Sequence, residues 1–174
     1  MSTTIPRPRA DEHAANYSGY VALVPEGDLV DLLREQQLDS VRLLRSLSDA
    51  QAMRAYAPGK WTVKEVIGHL SDAERIFTYR ALRFARGDGR ELAGFDENTY
   101  VPAGRFNERT IHDLLEELEA VRAATIHLLR HLSPEELARR GTANGHAITV
   151  RAIAYIIAGH ERHHAKILRE RYGL

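Results

Sequence analysis

The 174-residue sequence contains no cysteine. This absence excludes disulfide bonds, thiolate metal ligands and cysteine nucleophiles together, so histidines and carboxylates must supply any metal site in the chain. An excess of charge of one sign is also missing, because 24 lysines and arginines balance 24 aspartates and glutamates. Since no net positive field attracts DNA or RNA, a nucleic-acid function is disfavoured.

Long apolar runs are lacking as well. No stretch approaches the roughly 20 apolar residues that a membrane-spanning helix needs, and residues 1–9 lack the apolar run of a signal peptide. The 44% hydrophobic and 28% charged content is that of an ordinary water-soluble globule. We therefore expect a cytoplasmic protein with no membrane partner and a single domain.

Helical periodicity dominates the sequence. Residues 1–27 are polar and interrupted by proline and glycine, and they are predicted to form an irregular N-terminal arm with at most one short turn. The domain is predicted over residues 28–174, and no segment in it shows a convincing strand pattern. Its four long amphipathic helices are predicted at residues 28–47, 62–86, 107–131 and 149–172. The expected fold class is all-α, a four-helix bundle with short extra turns.

Capping signals mark the helix starts. Ser48-Asp49-Ala50-Gln51 and Thr62-Val63-Lys64-Glu65 have the capping-box pattern, and Asn107 is predicted to cap the third long helix. Ser133-Pro134 predicts another short helical turn. Trp61-Thr62-Val63-Lys64 is echoed by Ile148-Thr149-Val150-Arg151, which is weak support for an internal duplication.

Residues 88–106, between the second and third long helices, show neither helical nor strand periodicity. A connection of this length inside a domain is often functional, although it can also be a simple excursion between helices. If it is functional, Asp96, Asn98 and Tyr100 are its candidate lid or substrate contacts.

The last helix carries a histidine cluster. His160 and His164 are four residues apart, so their imidazoles leave the same helix face one turn apart. Imidazole is a common ligand of zinc, nickel, copper and iron. The segment also matches the H-E-x-x-H pattern of zinc proteases, but only ten residues follow His164, and those enzymes require a third ligand further downstream. We therefore interpret the protease match as accidental.

His69 is the candidate third ligand. Counted from the equivalent residues Thr62 and Thr149, it leaves its helix in the same direction as His160 and His164, within a sector of about 80°. If the two helices face each other, the three imidazoles converge inside the bundle, which is how helical bundles build metal sites. His163 points to the other side of His160 and is the reserve ligand. For His69 alone, a packed core histidine would be the simpler interpretation.

Carboxylates near these histidines are further candidates. Glu161 is a possible base for a bound water, but a hydrogen-bond partner of a ligand or a solvated surface side chain explains it equally well. Glu65 and Asp72, one turn either side of His69, are also candidate hydrogen-bond partners of the ligands. For them too, a solvated surface side chain explains the residue equally well.

A family resemblance can be stated on these motifs. Residues 61–70, Asp72-Ala73-Glu74-Arg75, Phe95-Asp96-Glu97-Asn98 and residues 160–164 resemble, in that order, the motifs of the DinB/YfiT-like superfamily. The resemblance covers residues 28 to 172. It implies a four-helix bundle that binds a divalent metal ion, nickel or zinc, through one histidine of the second helix and an H-x-x-x-H pair of the fourth. In this sequence those ligands are His69, His160 and His164. It also implies a homodimer.

Two functions follow from this site. Three neutral ligands leave an open metal position, as in catalytic rather than structural sites. The first hypothesis is an enzyme that transfers a low-molecular-weight thiol to an electrophilic small molecule, with metal-dependent hydrolysis as the second version of the same site. The alternative is a non-catalytic, metal-stabilised bundle that serves in stress-related binding or dimerisation.

Overall fold

The computed structural model describes residues 4–174, so residues 1–3 of the predicted arm lie outside the described residues. The chain folds as a helical bundle with one small sheet. Its helices are α1 (Ser18–Leu23), α2 (Leu29–Leu44), α3 (Asp49–Ala52), α4 (Val63–Ala85), α5 (Glu97–Gly104), α6 (Ile111–Leu129), α7 (Pro134–Ala138) and α8 (Val150–Tyr172), and its strands are β1 (Arg140–Ala143) and β2 (His146–Thr149). The four long helices α2, α4, α6 and α8 confirm the predicted four-helix bundle.

Among the four long helices, the first and second lie diagonally opposite each other, and so do the third and fourth. Helix α4 packs against α8 and α6, and α2 packs against the same two helices. Consequently α2 and α4 occupy opposite corners, as do α6 and α8. The predicted contact between the second and fourth long helices is therefore present, and it brings the histidine-bearing faces of α4 and α8 together.

Most of the predicted helix starts are confirmed by side-chain caps. Ser48, Thr62 and Ser133 each form the reciprocal hydrogen bonds of a capping box. The prediction that Asn107 caps the third long helix is wrong, because Thr110 caps α6. Asn107 instead bonds to the start of α4: its Oδ1 accepts a hydrogen bond from Thr62 Oγ1 at 2.6 Å.

The N-terminal segment is more ordered than the sequence predicted. Two 3₁₀ turns, Ala10–Glu12 and Ala15–Tyr17, precede α1, which packs along α8. Ile5 is fully buried in the apolar core. The prediction of an irregular arm with at most one short turn is wrong, because α1 packs on α8 and Glu12 of the first turn bonds to Arg151, and both contacts join segments that are distant in sequence.

Residues 88–106 also contain structure that the periodicity did not indicate. Asp96 caps α5, and a further 3₁₀ turn, Phe106–Glu108, follows. Pro102 lies inside α5, and Val101 is the one residue of this helix that is buried. A helix with one buried residue and an internal proline shows no apolar stripe, which is why it was predicted as a loop.

The prediction that the chain contains no strand is wrong. Strands β1 and β2 pair antiparallel, with Gly141 opposite Ile148. They are joined by Asn144 and Gly145, both with positive φ. Asn-Gly at a two-residue turn is a strong local signal for such a hairpin. Among residues 4–174, none of the helices contains an apolar stretch long enough to cross a bilayer.

Two apolar clusters fill the bundle, one at each end. One contains Leu33, Ile126 and Ile157, and the other contains Leu44 and Leu168. Buried polar residues separate them on all four long helices. The polar residues of this middle layer are Gln36 and Ser40 on α2, His69 and Glu74 on α4, Arg122 on α6, and His160 and Glu161 on α8.

Candidate metal centre

The three sequence-predicted histidines meet in the middle layer. His69 Nε2 lies 3.1 Å from His160 Nε2, and His164 Nε2 lies 3.2 Å from the same atom. One nitrogen from each ring falls within a group whose members are all within 4.8 Å of one another. His69 and His160 are buried, whereas His164 is partly exposed. Helices α4 and α8 therefore bring together side chains that are 91 residues apart in the chain.

This spacing fits one divalent ion. Zinc–nitrogen bonds are about 2.0–2.1 Å long, which places two nitrogens of a tetrahedral site about 3.3 Å apart. The two measured nitrogen–nitrogen distances, 3.1 and 3.2 Å, are close to that value. One nitrogen of each ring belongs to the same group within 4.8 Å, so the donor set fits a single metal ion.

Burial keeps these imidazoles neutral. It lowers the pKa of His69 to about 4 and that of His164 to about 3. For His160, burial again acts first, and the neighbouring histidines add to it, so its pKa lies well below the usual range. A neutral imidazole has a free lone pair, so the three rings are in the protonation state that metal binding requires at pH 7.

Glycines beside two of the ligands allow neighbouring segments to pack closely against the ligand-bearing helices. Gly68 and Gly159 directly precede His69 and His160. A Cβ atom at Gly68 would overlap the Phe106 ring, and one at Gly159 would overlap the Tyr20 backbone carbonyl. These glycines therefore let neighbouring segments press against the helices beside the ligands.

Aromatic rings fix the orientation of the imidazoles. The Trp61 ring centroid lies 4.8 Å from that of His69 and is stacked against His164 at 6.5 Å. His160 contacts Tyr20 edge to face, with centroids 5.5 Å apart. Because Tyr20 belongs to α1, the N-terminal segment forms one wall of the site.

Two cavities adjoin the histidine cluster. The larger one, about 530 Å³, is lined by all three histidines of the cluster together with Tyr20 and Glu97. The smaller one, about 260 Å³, is lined by Asn98 and Tyr172, among others. Trp61 and His164 line both cavities. The cluster is therefore accessible to small molecules from two sides.

Comparison with known proteins assigns the chain to a family. A family model described as the DinB superfamily matches residues 32–168. The chain belongs to the DinB superfamily. It is also 26% identical over 149 residues to a protein of Oceanobacillus iheyensis named "Putative metal-dependent hydrolase". That alignment covers 80% of this chain and 86% of the relative.

Solved structures show the same fold. YfiT from Bacillus subtilis, described as a probable metal-dependent hydrolase with an unusual four-helix bundle topology, superposes with a TM-score of 0.71. The identity is 18%, and the match covers 97% of this chain and 94% of YfiT. A mycothiol-dependent maleylpyruvate isomerase superposes with a TM-score of 0.66 at 16% identity, covering 84% of this chain and 61% of the isomerase.

Glu161 of this DinB protein is not at the candidate metal centre. Its carboxylate is buried and accepts hydrogen bonds from Gln36 Nε2 and Ser40 Oγ, each at 2.5 Å, and from Arg122 Nη2 at 2.6 Å. The hypothesis that it serves as a base for bound water is wrong, because it points toward α2 and α6 rather than into either cavity.

The other predicted carboxylates of this DinB protein also lie elsewhere. Glu65 accepts hydrogen bonds from the backbone of Thr62 and from Asn107 at the start of α4. Asp72 forms an ion pair with Arg75 at 3.7 Å. Burial raises the pKa of Asp72. Neither carboxylate contacts His69.

The reserve ligand and the predicted loop contacts have separate positions. His163 lines the larger cavity but does not belong to the group of converging nitrogens. Asn98 lines the smaller cavity. Asp96 caps α5 and Tyr100 packs against Phe95, and neither lines either of the two cavities beside the histidines.

Several cavity residues of this DinB protein were not predicted. Glu97 and Arg80 line the larger cavity, as does Tyr20 of the N-terminal segment. Arg80 follows His69 by 11 residues, or about three helical turns, so both residues lie on the same face of α4. This spacing is the sequence signal for Arg80. Glu97 and Tyr20 reach the site through contacts between distant segments, for which the sequence offers no periodic signal.

Proposed function

We propose that the protein is a metal-dependent enzyme acting on small molecules, in which His69, His160 and His164 hold one divalent ion, with nickel and zinc as the leading candidates. The observation that carries this proposal is the meeting of three neutral imidazoles at the junction of two cavities. The names of the relatives support it, since the Oceanobacillus protein is named "Putative metal-dependent hydrolase" and YfiT is described as "a probable metal-dependent hydrolase".

A divalent ion at this position supplies Lewis acidity, which makes a thiol or a water nucleophilic near neutral pH. The protein's own residues provide the surroundings. Burial keeps the three imidazoles unprotonated, and Trp61 holds two of them in place. The Glu97 carboxylate shares the larger cavity and is the proposed proton acceptor.

Transfer of a low-molecular-weight thiol to an electrophilic substrate is the version of this activity that the geometry favours. Two cavities that meet at His164 and Trp61 provide separate places for two organic reactants. The chain contains no cysteine, so the thiol must come from a small molecule. The structural relative that depends on mycothiol supports a thiol as one reactant. The homodimer implied by the family resemblance stays a prediction.

Hydrolysis is the second candidate. It requires only one organic reactant, and Glu97 in the larger cavity could accept a proton from water. The two candidates differ in their products: transfer gives a thioether-linked adduct, whereas hydrolysis consumes water and is independent of added thiol.

Metal analysis tests the site itself. We expect purified protein to contain about one equivalent of nickel or zinc, and we expect His69→Ala to lose most of it because two ligands hold an ion far more weakly than three. His163→Ala is the matched control, since it removes an imidazole from the same cavity but outside the converging group. Undiminished metal content in His69→Ala would show that His69 is not a ligand and would contradict the three-histidine site.

Activity and unfolding measurements test the role of the metal. Chelator-treated protein is expected to remain folded, because the two apolar clusters on either side of the site contain none of the three histidines and are held by apolar contacts. Thiol-dependent consumption of a model electrophile should disappear with the metal and return on its replacement. Cooperative loss of helical circular dichroism on chelation, with no activity in either state, would favour the non-catalytic, metal-stabilised module instead.

A further inference from the structure

Arg80 is a buried cation without a carboxylate partner. It lies on α4 and is only 4% exposed. The other buried cations among residues 4–174 are both paired: Lys64 contacts Asp49 at 2.9 Å, and Arg122 contacts Glu74 and Glu161. Arg80 takes part in none of the ion pairs formed within that part of the chain. A buried charge is costly unless it is paired, so an unpaired one at a cavity wall requires an explanation.

The guanidinium of Arg80 is held in a defined orientation. Its Nη2 donates a hydrogen bond to the Ala93 carbonyl at 2.9 Å. Its Cζ atom lies 5.8 Å from the centroid of the Phe77 ring and 6.0 Å from that of Phe95. The aromatic faces stabilise the cation but offer no anionic partner. The Ala93 carbonyl and the Tyr17 hydroxyl are both neutral acceptors and together use two of the five N–H donors of the guanidinium, which leaves the group able to bind a further acceptor.

The electrostatic surroundings of Arg80 differ from those of paired arginines. Burial lowers the pKa of Arg80. By contrast, a hydrogen bond to Asp88 raises the pKa of Arg83, and a hydrogen bond to Glu12 raises that of Arg151. Arg80 therefore remains a cation without the compensation that a neighbouring carboxylate supplies.

Arg80 lies in the same cavity as the candidate metal centre. It follows His69 by 11 residues, about 16 Å along the helix axis, and helical side chains lean back toward the N-terminus. The Phe77 ring lies between the two groups, with its centroid 6.1 Å from that of His160 and 5.8 Å from Arg80 Cζ. The cavity of about 530 Å³ has the size of a small-molecule site.

We infer that Arg80 binds a carboxylate of a small-molecule ligand whose other end reaches the histidine cluster. A guanidinium matches a carboxylate with two parallel hydrogen bonds, which makes it a specific as well as an attractive partner. The carboxylate belongs either to the electrophilic substrate or to the thiol. That the far end is the reactive one rests on the proposed function, whereas the carboxylate contact does not.

Ligand titration of metal-free protein tests this contact. The probes are succinate, S-methylglutathione and the neutral analogue succinamide, and chemical-shift titration by NMR gives their dissociation constants. We expect Arg80→Gln to weaken carboxylate binding about tenfold or more, as the loss of a charge-assisted pair implies. Arg80→Lys should retain part of the affinity. Arg83→Gln, on the same helix but not lining the cavity, is the matched control and should bind like the wild type.

The outcomes separate the sources of the carboxylate. If Arg80→Gln loses affinity for succinate alone, the carboxylate belongs to a small acid. If it loses affinity for S-methylglutathione alone, the carboxylate belongs to the thiol. Either result supports the inference. Equal affinity of wild type and Arg80→Gln for both probes would overturn it. So would succinamide binding as tightly as succinate.

Thermal unfolding distinguishes ligand binding from a structural role. If Arg80 is kept for a ligand, Arg80→Gln should be as stable as the wild type or more stable, because an uncompensated buried charge has been removed. A marked fall in the melting temperature of Arg80→Gln, with no change in its carboxylate affinity, would show that Arg80 serves only to hold the Ala93 carbonyl. Metal content is measured on each variant as purified, before the metal is removed for the titration, so failure of the metal site and failure of the carboxylate site are seen separately.

Discussion

Arg122 joins three helices through its hydrogen bonds. It donates to both carboxylate oxygens of Glu74 on α4, to Glu161 on α8 and to the Leu33 carbonyl on α2. The residue is 1% exposed. Its pKa is raised because the two carboxylates outweigh the effect of burial. Glu161 directly follows His160, so this network holds the turn of α8 that carries the candidate metal ligands.

Removing Arg122 should be far more damaging than removing one of its partners. We expect Arg122→Met to lower the free energy of unfolding by about 3–5 kcal/mol, because two buried carboxylates lose their shared counter-charge. Glu161→Gln should cost less, since the bidentate Arg122–Glu74 pair remains. Urea unfolding at pH 7 measures both.

The control for Arg122 is an exposed pair. Arg75→Gln breaks the contact between Arg75 and Glu117, in which Arg75 is 48% exposed, and should cost less than about 1 kcal/mol. If Arg122→Met were as stable as Arg75→Gln, the network would not be what holds α8 in place.

At the scale of elements, α1 forms part of the site because α8 has a glycine where the two cross. Gly159→Ala would force its new methyl group into the Tyr20 backbone. We expect a loss of about 1–3 kcal/mol in the free energy of unfolding, as for other insertions into packed interfaces. Tyr20, which contacts His160 and lines the larger cavity, should be displaced as well.

Gly19→Ala is the matched control for this prediction. Gly19 lies in α1, with open space around the added methyl group. Alanine there should be neutral or stabilise by up to about 1 kcal/mol, because it restricts the unfolded chain. Urea unfolding and limited proteolysis near residue 20 measure both variants, and equal behaviour of the two would contradict the packing argument.

The elements that the sequence predicted are those with local signals. Periodic apolar residues and caps such as Thr62 act within a few residues, so the four long helices and most of their starts were predictable. Helix α5 depends on packing around Val101 and lacks an apolar stripe, and the first 3₁₀ turn depends on the distant contact between Glu12 and Arg151 of α8. The hairpin also has a local signal, the Asn144-Gly145 turn.

The same distinction applies to the candidate site. The convergence of the three histidines follows from helix geometry and from the pairing of α4 with α8, both of which the sequence indicated. The hydrogen bonding of Glu161 does not follow, because the direction in which its side chain leaves α8 does not show that Arg122 on α6 lies within reach. Glu97 is contributed by a helix that periodicity did not reveal.

At the scale of the whole molecule, the N-terminal segment is attached to the bundle by a buried ion pair. Glu12 is 1% exposed and accepts hydrogen bonds from Arg151 at the start of α8, one of them at 2.6 Å, and from Thr149 at 3.3 Å. Tyr155 in turn donates a hydrogen bond to the Ile5 carbonyl at 3.4 Å. Attachment of this segment therefore depends on a carboxylate that must be ionised, which makes it sensitive to pH.

The Glu12 contact should stabilise the protein only while its carboxylate is charged. The hydrogen bond from Arg151 holds the pKa of Glu12 below its usual range. Because the folded pKa lies below the unfolded one, the stabilisation is complete above the unfolded pKa and is lost as the pH falls through the folded value. We expect Glu12→Gln to be less stable than the wild type by about 1–3 kcal/mol at pH 7, as for a buried charge-assisted hydrogen bond. That difference should shrink steadily as the pH falls below about 4.5.

Urea unfolding at a series of pH values measures this difference. The control is Asp31→Asn, which removes an exposed pair with Arg34. A difference that stays constant down to pH 3 would show that the carboxylate charge of Glu12 does not attach the segment.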